Sequence, residues 1–416
     1  MANEKAVLVG TQIQSESRVM ALHALEELAA LAATAGADVV AEVFQHIRRV
    51  DPKYFIGSGK VGEIADLVQS KKADLVIFDH ELSPSQLYSL NEALKIKIID
   101  RTGLILDIFG ARARSREGKL QVELAQLIYL LPRMKGGGVE LSRLGGGIGT
   151  RGPGEMKREI EQRRARDRIA YLKRQIQSVK ETRLLYRQKR QGVPVPVVAI
   201  VGYTNSGKST LLNALTDSDV FVEDKLFSTL DPTTRELTLP HRQKALLTDT
   251  VGFIQKLPVQ LVEAFKATLE EINEADLLLH VIDLSHPEFE THIQEVQKLL
   301  LSLGAEKKPV IHVYNKTDRV KDARTLFLEH RRLHPFVMIS ARERQNLEAL
   351  REQISRGLTE FVETVHIKIP IDAQKLLALI YNQGHVLEKK FFKKYVRVTA
   401  QVPKKMAHWL KRYEIF

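Results

Sequence analysis

Residues 202–209 read GYTNSGKS, and this stretch decides the fold of the central part of the chain. Its pattern, G-x-x-x-x-G-K-[ST], is typical of a loop whose backbone N–H groups surround a phosphate. The loop follows VVAIV (197–201), which predicts a buried strand, and runs into STLLNAL (209–215), which predicts a helix. The N-terminus of such a helix favours negative charge. The sequence therefore predicts a nucleotide-binding α/β domain around this loop.

Each residue type in this loop suits a task in phosphate binding. Gly202 and Gly207 allow successive N–H groups to turn inward, because glycine accepts backbone angles that other residues avoid. Lys208 can reach the outer phosphates, and the hydroxyl of Ser209 can bind Mg²⁺. We expect the whole loop to contact the nucleotide: Gly202, Tyr203, Thr204, Asn205, Ser206, Gly207, Lys208 and Ser209.

A second segment, Asp249-Thr250-Val251-Gly252, follows the predicted strand KALLT (244–248). Its carboxylate can hold the water shell of Mg²⁺, and its glycine N–H can contact the terminal phosphate and sense its loss. Between this segment and the phosphate loop lies FVEDKLFSTLDPTTRE (221–236), which has little regular periodicity. We expect a mobile switch loop there, in which a threonine closes on Mg²⁺. The residues alone leave three candidates: Thr229, Thr233 and Thr234.

Two further segments follow predicted strands and complete the set. Asn315-Lys316-Thr317-Asp318 follows PVIHVY (309–314), and its carboxylate can accept two parallel hydrogen bonds from the N1–H and the amine of guanine. Adenine lacks this pair of donors and would leave the carboxylate unmatched. Ser340-Ala341-Arg342 follows FVMI (336–339), and its backbone can contact the base carbonyl. Each segment is a weak signal, but four in this order predict a guanine-nucleotide site.

The chain has 416 residues, a net charge of +12 and no cysteine. Its length indicates two to four domains, and the absence of cysteine excludes disulfides and fits a cytoplasmic protein. No apolar run approaches the roughly 20 residues of a membrane helix, so we expect no membrane partner. Residues 101–190 carry 22 Lys/Arg against nine Asp/Glu, a net charge of +13. This concentration of charge favours a nucleic-acid partner over its alternative, a solvated helix surface.

Strand and helix patterns divide the chain into four predicted parts. Residues 1–109 alternate apolar runs with helical stretches, which predicts an N-terminal parallel α/β domain. Residues 110–192 contain two helical patterns with narrow apolar seams, which predicts a basic antiparallel helical hairpin. Residues 193–361 are the expected nucleotide-binding domain, with a mixed, mostly parallel sheet. Residues 362–416 are expected to form a small C-terminal α+β domain.

The predicted tip of the hairpin, KGGGVELSRLGGGIGTRGPG (135–154), contains nine of the chain's 24 glycines. Ordering glycine is costly, so a loop this rich in glycine needs a function. It lies between two helices and lacks the GK[ST] ending of a phosphate loop, which disfavours nucleotide binding. A flexible basic tip suits RNA instead, because arginine binds phosphate and glycine lets the backbone approach closely. The candidate RNA contacts are Lys135, Arg143 and Arg151.

A second stretch with glycines, IGSGKVGE (56–63), has two interpretations. Val61 stands where a phosphate loop has Ser or Thr, and this favours an ordinary turn into a helix. The alternative is a second nucleotide site in the N-terminal domain.

Together these segments resemble the HflX family of ribosome-associated GTPases, which are similar to Obg-type proteins. In the central domain the similarity rests on GYTNSGKSTLLNAL (202–215), LFSTLDPTTR (226–235), LTDTVGFIQKLP (247–258) and NKTD (315–318). Upstream it rests on YFIGSGKVGEI (54–64), GARARSREGKLQVELAQLIYLLPR (110–133) and GTRGPGE (149–155). The resemblance covers nearly the whole chain and is weakest after about residue 365. One departure is Ser206, where the family usually has alanine.

The resemblance implies GTP and GDP as ligands, Mg²⁺ as cofactor, and the large (50S) ribosomal subunit with its rRNA as partner. It implies that Thr229 is the Mg²⁺ ligand of the switch loop, beside Ser209, and that Lys208, Thr229 and Gly252 serve catalysis. The switch-loop residues it places at the nucleotide are Phe227, Ser228, Thr229, Leu230 and Asp231. It also implies that the hairpin tip reaches toward the peptidyl transferase centre.

Two residues bear on the rate of hydrolysis. Phe253 stands where Ras-like GTPases have the glutamine that orients the attacking water, so we expect a slow GTPase that a partner stimulates. Asn205 resembles the asparagine of GTPases that use K⁺ as an electrophilic aid. Its alternative role is that of a polar residue that stabilises the loop.

The predicted function is that of a monomeric, GTP-hydrolysing factor that binds the 50S subunit and dissociates or rescues ribosomes under stress. Two alternatives stay open at this point. One is an RNA-binding GTPase of ribosome assembly, which would prefer precursor particles to mature subunits. The other is a regulatory module whose nucleotide site is only a sensor, which would show no ribosome-stimulated turnover.

Overall fold

The computed structural model describes residues 3–14, 16–134, 153–189, 195–217, 226–227, 229–240, 243–256, 261, 271–320, 333–359, 362–371, 373–403, 406–407 and 410. The chain divides into two compact units. The first comprises Met1–Glu181 with Gln255–Lys266, and the second comprises Thr182–Ile254 with Ala267–Phe416. Within the described residues, no helix combines the length and the apolar composition that a membrane span requires.

The first unit contains a four-stranded sheet with the order β2-β1-β3-β4, in which every pair of neighbours is parallel. The strands are β1 (Glu4–Ile13), β2 (Ala37–Ile47), β3 (Leu75–Phe78) and β4 (Lys97–Asp100). The helices that connect them are α1 (Arg18–Ala35), α2 (Ser58–Lys71) and α3 (Pro84–Leu94). Parallel strands require such crossover helices, and the expected parallel α/β fold is confirmed.

The glycine stretch at residues 56–63 forms the start of a helix. Gly57 is the N-cap of α2, and its N–H donates to the side chain of Gln45 (3.3 Å). The ammonium of Lys60 lies 2.6 Å from the carboxylate of Glu63 within the same helix. This geometry favours the interpretation of an ordinary turn into a helix.

The helical hairpin is joined to the first sheet through Asp100, a fully buried carboxylate at the end of β4. Asp100 caps helix α4 (Arg101–Arg112) by accepting from the N–H of Gly103 (2.8 Å). It also accepts from Tyr129 Oη (2.7 Å) and Arg133 Nη2 (3.1 Å), which lie on α5 (Arg116–Arg133). Burial, followed by the neighbouring Asp100 charge, raises the pKa of Tyr129, so its hydroxyl remains a donor. Buried hydrogen bonds therefore fix the first arm of the hairpin to the sheet.

The second arm of the hairpin is α6 (Pro153–Lys189), and it runs antiparallel to α5. Arg116 donates to Gln175 (3.4 Å), while Arg168 donates to both carboxylate oxygens of Glu123 (2.7 and 2.9 Å). The two pairings progress in opposite directions along the two helices, which confirms the antiparallel hairpin. Leu172 is fully buried in its seam. Residues 135–152 lie outside the described residues, and so do the predicted RNA contacts Lys135, Arg143 and Arg151.

The second unit contains a six-stranded sheet with the order β10-β9-β8-β5-β7-β6. Its strands are β5 (Val197–Gly202), β6 (Thr233–Thr238), β7 (Lys244–Asp249), β8 (Leu277–Asp283), β9 (Val310–Asn315) and β10 (Phe336–Met338). The described helices that accompany them are α7 (Lys208–Thr216), α8 (Phe289–Ser302) and α9 (Leu347–Thr359). Only β6 is antiparallel to its neighbour, so the sheet is mixed and mostly parallel, as predicted. The carboxyl ends of the parallel strands therefore meet at one edge.

The second unit also contains a three-stranded antiparallel sheet with the order β11-β13-β12. Its strands are β11 (Val362–Pro370), β12 (His385–Phe391) and β13 (Tyr395–Pro403), and the helix α10 (Gln374–Gln383) packs on one of its faces. The buried cluster between them includes Ile367, Val398, Ala400 and Ile380. This is the expected small α+β fold.

Candidate nucleotide-binding site

The phosphate loop between β5 and α7 has the backbone that its glycines predict. Gly207 has φ +95°, and Asn205 has φ +57°, both in the left-handed region. A Cβ atom at Gly207 would collide with the side-chain amide of Asn315, and one at Gly202 would collide with the carbonyl oxygen of Val281. Neighbouring strands therefore press closely on the loop, and only glycine fits at these two positions.

The side chain of Lys208 is buried inside this loop. Only 6% of Lys208 is exposed, and its ammonium donates to the carbonyl oxygen of Tyr203 (2.7 Å). Burial lowers the pKa of Lys208 to about 8, although the Asp249 carboxylate opposes this shift. A buried ammonium in this position is stabilised by an anion, and the phosphates of a nucleotide supply one.

Three oxygen-bearing side chains meet beside Lys208. The Ser209 hydroxyl donates to Asp249 Oδ2 (2.6 Å) and lies 2.7 Å from the Thr229 hydroxyl. Asp249 is fully buried, burial raises its pKa, and its Oδ1 has no hydrogen-bond partner among the described residues. Hard oxygen donors with an unpaired buried carboxylate oxygen are the ligand chemistry that Mg²⁺ prefers. Ser209 and Thr229 could hold Mg²⁺ directly, and Asp249 could hold its water shell.

The segment after β7 is tied to the phosphate loop through its backbone. The N–H of Phe253 donates to the carbonyl of Gly202 (3.1 Å), and the N–H of Thr204 donates to the carbonyl of Phe253 (2.6 Å). A Cβ atom at Gly252 would lie 3.0 Å from the ammonium of Lys208, so this glycine directly faces the buried cation. Any group held by Lys208 would therefore also meet Gly252.

Asn315 and Lys316 stabilise the loops around the site. Asn315 donates to the carbonyl of Ser206 (2.9 Å) and accepts from the N–H of Ala341 (3.0 Å). Lys316 Nζ lies 2.7 Å from both the carbonyl of Asn205 and the carboxylate of Asp283. These contacts bring four separate segments of the chain to the same edge of the sheet.

Asp318 lies exposed at this edge, and its orientation is set by Ser340. The Ser340 hydroxyl donates to Asp318 Oδ1 (2.5 Å) and accepts from the N–H of Glu343 (3.1 Å). The second carboxylate oxygen of Asp318 and the nearby backbone of Ala341 can therefore face a base. The Arg342 side chain is exposed, and its Nε lies 3.8 Å from the carboxylate of Glu343.

The structure brings most of the predicted site residues together and distinguishes between the three threonines. Thr229 reaches Ser209, whereas Thr233 and Thr234 lie in β6, where Thr234 contacts Thr248 (3.0 Å). On either side of Thr229 in the chain, Phe227 and Leu230 are buried and Asp231 is half-buried. Ser228 lies outside the described residues. Thr250, which was expected near the nucleotide, donates to the carbonyl of Ile200 (2.6 Å) in the sheet.

Asp283 is a site residue that the sequence analysis missed. It ends β8 and accepts from Lys316, so it fixes the lysine that crosses the phosphate loop. The signal was present, because Asp283 follows an apolar strand in the same way as Asp249.

Models of known protein families match successive parts of the chain. A family described as "GTP-binding GTPase N-terminal" matches residues 23–110, and one described as "GTP-binding GTPase Middle Region" matches residues 112–190. A family described as "50S ribosome-binding GTPase" matches residues 197–316, which include the phosphate loop and end within the NKTD segment.

Curated relatives extend this similarity over nearly the whole chain. The GTPase HflX of Caldanaerobacter subterraneus subsp. tengcongensis is 47% identical over 412 residues, which are 99% of this chain and 94% of that protein. The GTPase HflX of Escherichia coli (strain K12) is 39% identical over 409 residues, 98% of this chain and 95% of that protein. A GTP-binding protein from Sulfolobus solfataricus, solved in complex with GDP, is 27% identical, with a TM-score of 0.45 over 86% of this chain and 99% of that chain.

The resemblance to the HflX family is therefore confirmed over almost the full length. Its central segments form one site in the second unit, and relatives with 39–47% identity span nearly the whole chain. The chain belongs to the HflX family and is a GTPase.

Proposed function

We propose that this GTPase binds the 50S ribosomal subunit in its GTP state and dissociates or rescues ribosomes. The observation that supports a GTP-dependent switch is the contact between the hydroxyls of Thr229 and Ser209 (2.7 Å). It brings a residue of the switch loop next to the Ser209 hydroxyl, which also donates to the Asp249 carboxylate. When Mg²⁺ is bound there, it supplies positive charge against the phosphates. The match to a 50S ribosome-binding GTPase family over residues 197–316 supports the ribosomal partner.

Guanine specificity rests on Asp318 in this proposal. Its carboxylate would accept the N1–H and the amine of guanine, while Ser340 holds the same carboxylate from behind (2.5 Å). Asn315 and Lys316 would brace the loops rather than contact the base, because their side chains are engaged with Ser206, Ala341 and Asp283.

The substitution Asp318→Asn should change the preferred base. An amide would replace one acceptor by an N–H donor, which repels the amine of guanine but matches the C2 carbonyl of xanthine. We expect GTP affinity to fall by about 100-fold or more and XTP affinity to exceed it. Ser340→Ala is the matched control, because it removes the orienting hydroxyl but keeps the carboxylate, so weaker binding with intact guanine preference is expected. Titration with both nucleotides measures this, and an Asp318→Asn protein that still prefers GTP contradicts the assignment.

Slow intrinsic hydrolysis follows from Phe253. Its ring is buried, and both its N–H and its carbonyl bond to the phosphate loop, so it offers no group to orient water. In the proposed reaction, Lys208 neutralises charge on the outer phosphates and the N–H of Gly252 contacts the terminal one. A partner would then have to order the attacking water.

Purified 50S subunits should therefore stimulate GTP turnover. We expect a rise of roughly tenfold or more over the rate of the protein alone, because in GTPases a partner-supplied element contributes at least this much. The protein should also co-sediment with 50S subunits in the presence of a non-hydrolysable GTP analogue and not with GDP. Lys208→Ala is the control that should lose tight GTP binding and both effects. Turnover that does not respond to 50S would support a nucleotide sensor and overturn the proposal.

We also propose that the side-chain amide of Asn205 helps to bind K⁺. Among the described residues its side-chain amide makes no hydrogen bond, whereas its carbonyl oxygen accepts from Lys316, so the amide is available for an ion. The stimulated turnover should be faster in K⁺ than in Na⁺ by roughly an order of magnitude. Asn205→Ala should remove most of this difference without loss of GTP binding. Equal wild-type rates in the two salts would leave Asn205 with a structural role only.

The hairpin tip would act on the ribosome itself. The first arm, α5, is fixed to its sheet by the hydrogen bonds of Tyr129 and Arg133 to Asp100. It would therefore hold the base of the tip rigidly. The predicted contacts Lys135, Arg143 and Arg151 would bind rRNA phosphates.

Replacing residues 136–152 by a short Gly-Ser linker should separate the two activities. Basal GTP hydrolysis should remain, because the site lies in the second unit, while splitting of 70S ribosomes, measured on sucrose gradients, should be lost. The triple variant K135A/R143A/R151A keeps the loop length and should show the same loss. Splitting at the wild-type rate by both variants contradicts the role of the tip. Tighter binding to precursor particles than to mature 50S would favour an assembly factor.

A further inference from the structure

The first unit contains a cavity of about 600 Å³ that is separate from the nucleotide site. It is lined by β4, which is the edge strand of the four-stranded sheet, and by the helices α3, α4 and α5. Cavities of this size in proteins typically hold a small organic ligand, whereas a single water needs far less room. The lining residues therefore decide which ligand would fit.

Most of the cavity wall is apolar. Leu87 of α3, Ile98 of β4 and Leu106 of α4 are buried in it, and Leu130 of α5 is 43% exposed beside them. The exposed part of Leu130 is apolar surface that the described residues do not cover. A ligand with an apolar body would withdraw such surface from water, which favours binding in proportion to the area covered.

Several polar groups of the wall are already used by the fold. The hydroxyl of Tyr129 and Nη2 of Arg133 both donate to Asp100, as described above. The ammonium of Lys97 lies 3.3 Å from the carboxylate of Glu4, so this pair is neutral as a whole. These donors therefore have acceptors within the protein.

The polar atoms that the fold leaves open in the wall are mostly acceptors. Asp107 is exposed, and its carboxylate forms no hydrogen bond or ion pair with any residue that the structure describes. Gln126 donates through its amide nitrogen to the carbonyl of Leu106 (3.5 Å), which leaves its amide oxygen available. The half-buried side chain of Asn91 adds a second amide oxygen. A ligand for this cavity should therefore bring hydrogen-bond donors.

The surroundings of Asp107 favour a donor that also carries positive charge. Although the residue is exposed, the cavity walls withdraw its carboxyl group from water, and this burial raises the pKa of Asp107. A bound cation would offset this effect, because it favours the ionised carboxylate. An anionic ligand would instead meet a like charge, and a neutral one would leave the carboxylate without a counter-charge.

An ammonium group on an apolar body has both of the required properties. Its three N–H donors match carboxylate and amide oxygens, and its body matches the leucine and isoleucine side chains. We propose that this cavity binds a small hydrophobic amine, with the ammonium at Asp107 and the apolar body against Leu87, Leu106 and Leu130.

The test uses the full chain without nucleotide or ribosomes, and three probes that share one carbon skeleton. These are 4-phenylbutylamine, 4-phenylbutanol and 4-phenylbutyrate, and saturation-transfer NMR at pH 7.5 measures their affinities. A ligand of this size should reach a Kd on the order of 1 mM for the amine. The alcohol should bind about fivefold more weakly, because it lacks a charge-assisted hydrogen bond, and the acid more weakly still.

Two pairs of matched variants locate the site. Asp107→Asn keeps the size of the side chain but removes its charge, so the amine should then bind no better than the alcohol. Asp66→Asn, at an exposed carboxylate of α2 outside the cavity, should bind as the wild type does. Leu130→Ser should weaken binding of all three probes about threefold, since it removes apolar contact area. Leu301→Ser, at a 64% exposed leucine of α8, should not.

Hydrogen–deuterium exchange identifies the part of the chain that the amine protects. Amide exchange should slow within residues 84–133 when 4-phenylbutylamine is near saturation, and circular dichroism reports that the variants are folded. Equal affinities for the three probes, an unchanged amine affinity in Asp107→Asn, or protection confined to the second unit would overturn the proposal. None of these measurements involves GTP or the 50S subunit, so failure here would leave the proposed ribosomal function standing.

Discussion

The nucleotide site depends on one side-chain amide, that of Asn315. It donates to Ser206 in the phosphate loop and accepts from Ala341 in the loop after β10, and its neighbour Gly207 has no room for a side chain because the amide is there. Asn315 is only 2% exposed, and both the N–H and the oxygen of its side-chain amide thus have hydrogen-bond partners. Loss of either bond would leave a buried group unpaired, at a cost of about 1–3 kcal/mol. One residue therefore holds the phosphate loop and the loop after β10 in register.

The centre of the site contains charges that the protein alone does not stabilise well. Burial lowers the pKa of Lys208 and raises the pKa of Asp249, so it works against the charged form of each. The two groups attract each other, but each also faces the position where a ligand is expected. A nucleotide with Mg²⁺ brings an anion to the lysine and a cation to the carboxylate. The contact of Thr229 with Ser209 shows how the switch loop can take part in this exchange, because its hydroxyl already reaches the same cluster.

Much of this arrangement could be predicted from the sequence, because its signals are local. The phosphate loop, the strand-end segments and the helical seams each lie within a few consecutive residues, and the fold class and the family that they predicted are confirmed. Local sequence alone could not distinguish Thr229 from Thr233 and Thr234. The latter two are excluded because they lie in β6, which forms only by pairing with the distant strand β7. The placement of Arg397 between Lys368 and Lys390 was also not visible, because only the strand register brings these distant residues side by side.

Charge is distributed along the chain in a way that separates two kinds of anion binding. Residues 101–190 carry a net charge of +13, and residues 362–416 carry 11 Lys/Arg against four Asp/Glu, a net charge of +7. The total is only +12, so the rest of the chain carries a net charge of −8. In the proposed function, the nucleotide is met by a few buried groups in a part of the chain whose net charge is negative. The segments with excess positive charge would attract RNA at long range in the proposed function, and salt screens this attraction within about 10 Å. Segregation of this kind would let one protein bind a small anion tightly and a large one reversibly, because burial would govern the first and surface charge the second.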